Sequence, residues 1–202
     1  MQRPEGAERL TIISCRSWPV VGCGYRPDDV VAVVVANRVV AASQAASQLG
    51  VVVGLRRREA QRRAPGLQVV SPDVAGEVRA FEPVLQALEG LTPRIEIDEP
   101  GLCAFLTRGP SRYFGGDRAM SERAARIVAD VLDGRTSVHV GTADSRFAAR
   151  RAAALAEPNR VRVVPAGASA AFLSSLPIGL LARDDRVPAK RKALEELSLI
   201  HI

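Results

Sequence analysis

Aromatic residues are scarce in this chain: one Trp, two Tyr and five Phe make up 4% of 202 residues. The hydrophobic fraction is nonetheless 47%, enough for a core, and much of it is Ala and Val. Cysteines number three, Cys15, Cys23 and Cys103, and histidines two, His139 and His201. Their spacings fit no zinc site, and the odd cysteine count argues for reduced, mostly buried thiols. Long apolar runs are also missing. The longest, Val30 to Ala36, covers seven residues, whereas a membrane-spanning helix needs ~20. The opening MQRPEGAER lacks the apolar core of a signal peptide, so a soluble, cytoplasmic protein with no membrane partner is expected. Three catalytic signatures are absent: Gly-x-Ser-x-Gly, a P-loop and a dinucleotide fingerprint. Gly22-Cys23-Gly24 is too short to count as one. Ser14 and Cys15 have no histidine nearby in sequence to activate them.

What is present is basic charge. Lys and Arg number 28 against 22 Asp and Glu, for a net +6 and a pI near 10.0. That excess fits an anionic partner, nucleic acid being the commonest, or a generic basic surface. The arginines cluster. Arg56, Arg57, Arg58, Arg62 and Arg63 form one group, Arg146, Arg150 and Arg151 a second, and Arg183, Arg186, Lys190, Arg191 and Lys192 a third. Each could contact backbone phosphates or form a solvated face.

Periodicity predicts strands at Leu10 to Cys15, ended by Trp18-Pro19, and at Val30 to Ala36, which a tight turn at Asn37-Arg38 joins to Val39 to Ala42. Ser43 caps a short helix ending at Gly50, and Leu55 to Ala64 is another helix. After a short strand at Leu67 to Val70, Asp73 caps a long helix through Leu91 with Val74, Val78, Phe81, Leu85 and Leu88 inward. Strand pieces follow at Arg94 to Ile97 and Gly101 to Leu106. A helix opens at Asp117, with Ala124, Ile127, Val128 and Val131 as its inner stripe. Ser137 to Gly141 is a strand, Asp144 caps a helix through Ala156, and Val161 to Val164 is a strand. A helical piece is expected near Ala189 to Leu197. The order fits an α+β sheet layered by helices, interrupted between about Arg26 and Pro72. Trp18 reads as a packed side chain rather than a base-stacking one. Tyr113-Phe114 reads as two aromatics tucked under the sheet, and His139 as a core or surface histidine.

Four stretches resemble Y-family, lesion-bypass DNA polymerases: VVAVVVANRVVAASQAASQLGV, GLRRREAQRRAPGLQVVSPD, VGTADSRFAARRAAALAEPN and VVPAGASAAFLSSLPI. They occur in family order over roughly Leu10 to Leu181. SCRSWPV and PGLCAFLTRGPSRYFGG resemble the non-catalytic, ImuB-type polymerase-like proteins of bacterial mutagenesis cassettes. The resemblance implies a ferredoxin-like palm sheet with a small inserted fingers subdomain and the start of a thumb. It places the first palm strand in 1–25, the fingers in 26–72, the palm in 73–165 and a truncated thumb in 166–202. Two-metal phosphoryl transfer needs clustered carboxylates to hold magnesium.

Laid on the family pattern, the first-strand aspartate falls at Ser14 and a second at Arg16. The later pair falls at Gly101 and Leu102; a shifted register would instead use Asp98 and Glu99. The Tyr and Arg that grip a triphosphate fall at Gln44 and Ser47, and the resemblance favours phosphate contact for Arg146 and Arg150. The implied role is a scaffold in damage-induced mutagenesis, without a cofactor. It would bind DNA, a sliding clamp, an error-prone polymerase and a small cassette partner, near the bacterial nucleoid. The alternatives are an active translesion polymerase using magnesium at Asp98 and Glu99, and a basic nucleic-acid-binding domain of merely similar architecture.

Overall fold

The structure, a computed structural model, describes residues 8–181. Strand β1 (Leu10–Cys15) is six residues with no turn former, buried at all but one position. Ser17, with φ of 50°, turns the chain into α1 (Trp18–Gly22), whose first turn holds Pro19. Proline costs nothing there because its missing N–H would have no intrahelical partner. Trp18-Pro19 therefore ends the strand, as expected, by starting a helix.

Strands β2 (Val31–Val35) and β3 (Arg38–Ala42) form a hairpin. Its turn residues, Ala36 and Asn37, have φ of 47° and 63°, the positive pair that matches strand twist. The Ser43 hydroxyl accepts from the Ala46 N–H at 3.1 Å and caps α2 (Gln44–Gln48). Then come α3 (Arg57–Arg63), β4 (Gln68–Val70) and α4 (Val74–Glu89), which Asp73 caps by accepting from the Gly76 N–H at 2.8 Å. The hairpin β5 (Glu96–Glu99) and β6 (Leu102–Leu106) leads into α5 (Arg108–Tyr113) and α6 (Asp117–Leu132). Strand β7 (Val138–Ala143), helix α7 (Arg146–Ala154), strand β8 (Arg160–Val163) and helices α8 (Ser169–Ser174) and α9 (Ile178–Leu181) follow.

The main sheet has the order β5-β6-β1-β7-β8. Strand β1 runs antiparallel to both β6 and β7, and β7 runs parallel to β8. Alternation sends Ile13 and Cys15 to one face, where Phe81, Val84 and Leu88 of α4 and Met120 and Val128 of α6 cover them. Leu10 and Ile12 face the other way, onto Ala148, Ala149, Ala152 and Ala153 of α7. Those alanines let the helix sit close: a Cβ on Gly141 of β7 would collide with the Ala149 carbonyl and the Ala153 N–H. The second sheet, β3-β2-β4, has its own core of Val39, Ala46, Val51, Ala60 and Leu67. Val20 of α1 packs against its other face, on Val31, Val33 and Ala41.

Three local expectations are corrected. Val78 of α4 is 55% exposed; Phe81 and Leu88 point inward as expected, and Gly76, Glu77 and Val84 join them. The first turn of α4 is set by close approach to α1, where a Cβ on Gly76 would meet the Gly22 carbonyl. The cap of α7 is Ser145, which accepts from the Ala148 N–H at 3.2 Å, not Asp144. Asp144 instead balances the nearly buried Arg9, whose guanidinium bonds Asp117 at 2.5 Å, Asp144 at 2.9 Å and the Val164 carbonyl at 2.5 Å. Burial pushes the Asp144 pKa up, but the Gly167 N–H, Arg9 and Ser169 outweigh it and hold it below the ordinary value. Tyr113 is 83% exposed rather than tucked in, while Phe114 is half-buried with Arg123 over its ring at 5.1 Å. The helical piece near Ala189 and the third basic cluster lie outside the described residues.

The fit of α7 on β7 yields a direct test. Gly141→Ala would press a methyl group into helix backbone that cannot rotate away. It should cost about 1–3 kcal/mol, read as a lower urea midpoint with an unchanged slope.

Candidate functional site at the end of the central strand

Ser14, half-buried near the end of β1, pairs with Leu102 on one side and His139 on the other. The next residue, Cys15, donates its N–H to the Gly101 carbonyl at 2.8 Å. Ser14, Gly101 and Leu102 are thus neighbours across the sheet. Asp98 and Glu99 lie one strand further out, on β5, with Glu99 opposite Leu102. The Asp98 carboxylate is taken by α7: Arg146 Nη1 bonds it at 2.6 Å and Arg150 Nη1 lies 3.8 Å away. Arg146 also pairs with Glu96.

Position 101 is closed to a side chain. Gly101 has φ of +86°, and a Cβ there would collide with the Trp18 indole. That ring is 3% exposed. Its Nε1–H donates to the Glu77 carbonyl at 3.0 Å, and it meets the Phe81 ring edge-on at 5.2 Å. The packed reading of Trp18 is the observed one. Leu102 is buried among the alanines of α7. Among the described residues, no group of three or more His, Cys, Asp or Glu is placed to hold a metal ion. The donor set here, a hydroxyl, a glycine and a leucine, does not fit a pair of magnesium ions.

Arg16 reaches across the strand end. Its Nε donates to His139 Nε2 at 3.1 Å and its Nη2 to the Ala154 carbonyl at 2.8 Å, favourable for a cation at the end of α7. His139 is a core residue whose Nδ1–H donates to the Ala156 carbonyl at 2.8 Å, leaving Nε2 to accept from Arg16. Burial holds the His139 pKa below its ordinary value; the Ala156 carbonyl opposes this and Arg16 adds to it. Burial likewise raises the Cys15 thiol and, with the Asp98 charge adding, pushes Cys103 up to about 12. Neither is a nucleophile at neutral pH.

A cleft of about 400 Å³ opens between this strand end and the second sheet, lined by Arg16, Ser17, Gln44, Ser47, Arg135 and His139 among others. The fold thus gathers Arg16, Gln44 and Ser47, which lie apart in sequence. Arg135 joins them from the loop before β7, a place no motif marks. The second basic cluster is largely spent inside the molecule. Arg150 is 14% exposed at its side chain, and the buried Arg151 donates to the Leu180 carbonyl at 2.8 Å. Arg56, Arg57, Arg58 and Arg62 are exposed on and beside α3, where Arg56, Arg58 and Arg62 line an open cleft of about 530 Å³. Arg63 is tied to Glu59 at 2.7 Å.

The lowered His139 pKa means that, on acidification, the unfolded chain takes the proton first. Its contribution to stability is complete above the ordinary value of 6.5 and is lost as pH falls through it toward the lowered folded value. Urea midpoints measured between pH 8 and pH 5 should show this fall, and His139→Gln should flatten it.

Residues 19–154 match the impB/mucB/samB family, IMS. DNA polymerase IV 2 of Mesorhizobium japonicum is 29% identical over 165 residues, which is 80% of this chain and 38% of that protein. Among solved structures, DinB from Sulfolobus solfataricus is similar with a TM-score of 0.66 at 20% identity, covering 94% of this chain and 57% of that one. A Y-family DNA polymerase chimera of Dbh and Dpo4 gives 0.67 at 19% identity, covering 86% and 54%. The chain spans less than two thirds of the length of each. Among the described residues, no helix is long and apolar enough to cross a membrane. The chain belongs to the impB/mucB/samB family, with the α+β palm and fingers fold of the Y-family polymerases.

Proposed function

We propose that this chain is a non-catalytic, Y-family polymerase-like module that holds DNA and helps recruit an error-prone polymerase during damage-induced mutagenesis. The observation that supports the reading is the indole of Trp18 packed on Gly101, which closes to any side chain a position where the family resemblance puts a carboxylate. Residues 1–25 and 73–165 form the palm in this reading, 26–72 the fingers, and 166–202 the start of a thumb. The sliding clamp, the error-prone polymerase and a small cassette partner are the proposed protein partners, at the bacterial nucleoid. DNA is held by exposed arginines through its phosphates. Because Arg146 and Arg150 face Asp98, the weight of that contact moves to Arg56, Arg57, Arg58 and Arg62.

The relative's name, DNA polymerase IV 2, favours a second reading, an active translesion polymerase with magnesium at Asp98 and Glu99. It requires Asp98 to leave both arginines. Primer extension with magnesium and four nucleotides separates the two. No template-dependent product is expected; product that disappears with Asp98→Ala would establish the polymerase instead. For DNA binding, Arg56→Ala with Arg57→Ala should weaken affinity for primed DNA at low salt and reduce the salt slope by roughly two. An unchanged slope would remove α3 from the DNA surface.

A further inference from the structure

We infer that the turn between α5 and α6 is a second nucleic-acid surface, which takes a single strand by stacking a base on Tyr113 and pairing its phosphates with the arginines around it. The turn lies at the far end of the main sheet from Ser14. Leu10 of β1 stands opposite Leu106 at that end, and Ser14 opposite Leu102 at the other. Four residues of extended chain, roughly 13 Å, separate the two ends. The arginines of α3 belong to another surface, because α3 packs into the core of the second sheet. Tyr113 is 83% exposed, the most of any large apolar side chain among the described residues. Its ring meets Phe114 edge-on, with centroids 4.8 Å apart and planes at 85°. Phe114 is in turn covered by the Arg123 guanidinium, 5.1 Å from its centroid. An edge-to-face contact uses at most one face of the tyrosine and leaves the other open. Gly109, Gly115 and Gly116 flank the ring, and a Cβ on any of them would meet nothing within 4 Å. The backbone on both sides of the ring is therefore open to a ligand as well.

The charge around the ring has one sign. From Arg108 to Arg123 the arginines are Arg108, Arg112, Arg118 and Arg123, all exposed, and the carboxylates are Asp117 and Glu122. Both carboxylates are engaged. Asp117 is held by Arg9 at 2.5 Å and Ser111 at 2.6 Å, and Glu122 lies 3.7 Å from Arg118. Arg108 and Arg112 form no ion pair among the described residues. An open aromatic face beside free guanidinium groups suits a ligand that is flat and anionic at once, as a nucleotide strand is. A duplex does not fit, because its bases offer no uncovered face to the ring. A protein partner fits less well, because the centre of a protein interface is apolar and depleted of charge. Here one ring and a half-buried second stand among arginines. The surface binds and transfers nothing, and it is independent of whether the chain is an active polymerase.

The test is fluorescence anisotropy of the full chain with a labelled oligothymidylate of about eight nucleotides. An abasic deoxyribose-phosphate chain of the same length is the comparison. The thymidylate should bind more tightly, because only it can stack. Tyr113→Ala should remove that difference, weakening the thymidylate about fivefold or more and leaving the abasic chain unchanged. Tyr113→Phe should keep the difference. Both variants should melt with the parent chain, since the ring is exposed. Arg112→Gln should weaken both ligands and lower the salt slope by roughly 0.7. Arg79→Gln, an exposed arginine on α4, should leave the difference between them as it is. Equal affinity for the two chains, or a difference that survives Tyr113→Ala, would overturn the surface. Labelled polyglutamate binding as tightly, with the same dependence on Tyr113, would overturn it too and mark a site for an acidic protein segment. Thymidylate binding that falls with Arg56→Ala plus Arg57→Ala but not with Tyr113→Ala would also overturn it, leaving α3 as the DNA contact.

Discussion

The contact of the Trp18 indole with the backbone at Gly101 ties together three parts of the molecule. The ring belongs to α1, its N–H is satisfied by α4, its edge partner Phe81 is also on α4, and its face closes the turn into β6. In a chain with one tryptophan, that ring supplies apolar surface no other residue type here could match. It can lie so deep only because its neighbours are small. Gly22 and Gly76 let α1 and α4 approach, and Gly101 leaves room for the indole. The packing is therefore mutual, since any of these glycines enlarged would displace the ring or the helix beneath it.

The electrostatics at the same place follow from that packing. The indole packed on Gly101 keeps water from that face of the sheet. Charge lies at the periphery, where Arg16 spans His139 and the end of α7, and Asp98 is held by Arg146 and Arg150. These pairs are partly exposed, so each contributes modestly to stability. Their main effect is positional. Arg146 and Asp98 tie the N-terminal turn of α7 to the β5 edge, while Arg16 ties its other end to the strand that carries Ser14.

The strands and long helices were legible because their signals are local. Val31 to Val35 is β-branched and uninterrupted, Ser43 and Asp73 act through N–H groups three residues on, and the two palm faces alternate along β1. What was not legible depends on partners distant in sequence. The burial of Gly76 and Glu77 goes with the close approach of α1, which no periodicity within α4 records. Asp144 has the look of a cap but is drawn to Arg9, 135 residues away. At the site, Ser14, Gly101 and Leu102 are marked in the sequence by the family resemblance alone, and the strand pairing places them side by side. The ion pairs that occupy Arg146 and Arg150, and the entry of Arg135 into the cleft, needed coordinates.

In the proposed non-catalytic reading, the residues at this strand end also constrain one another. Carboxylates crowded for two metal ions repel one another when the metals are absent, so a functional centre is destabilising in the free protein. Once one ligand is lost, the others keep the repulsion without the benefit, and apolar filling becomes the favourable substitute. Filling then closes the way back. An aspartate at 101 would need both a backbone other than φ +86° and the removal of Trp18. Removing Trp18 would take away the buried ring over which α1 and α4 meet. An aspartate in place of Ser14 would stand opposite Leu102, whose side chain offers it no partner. The strand end is thus held in its present form because Trp18, Gly101 and the two helices beneath them are packed on one another.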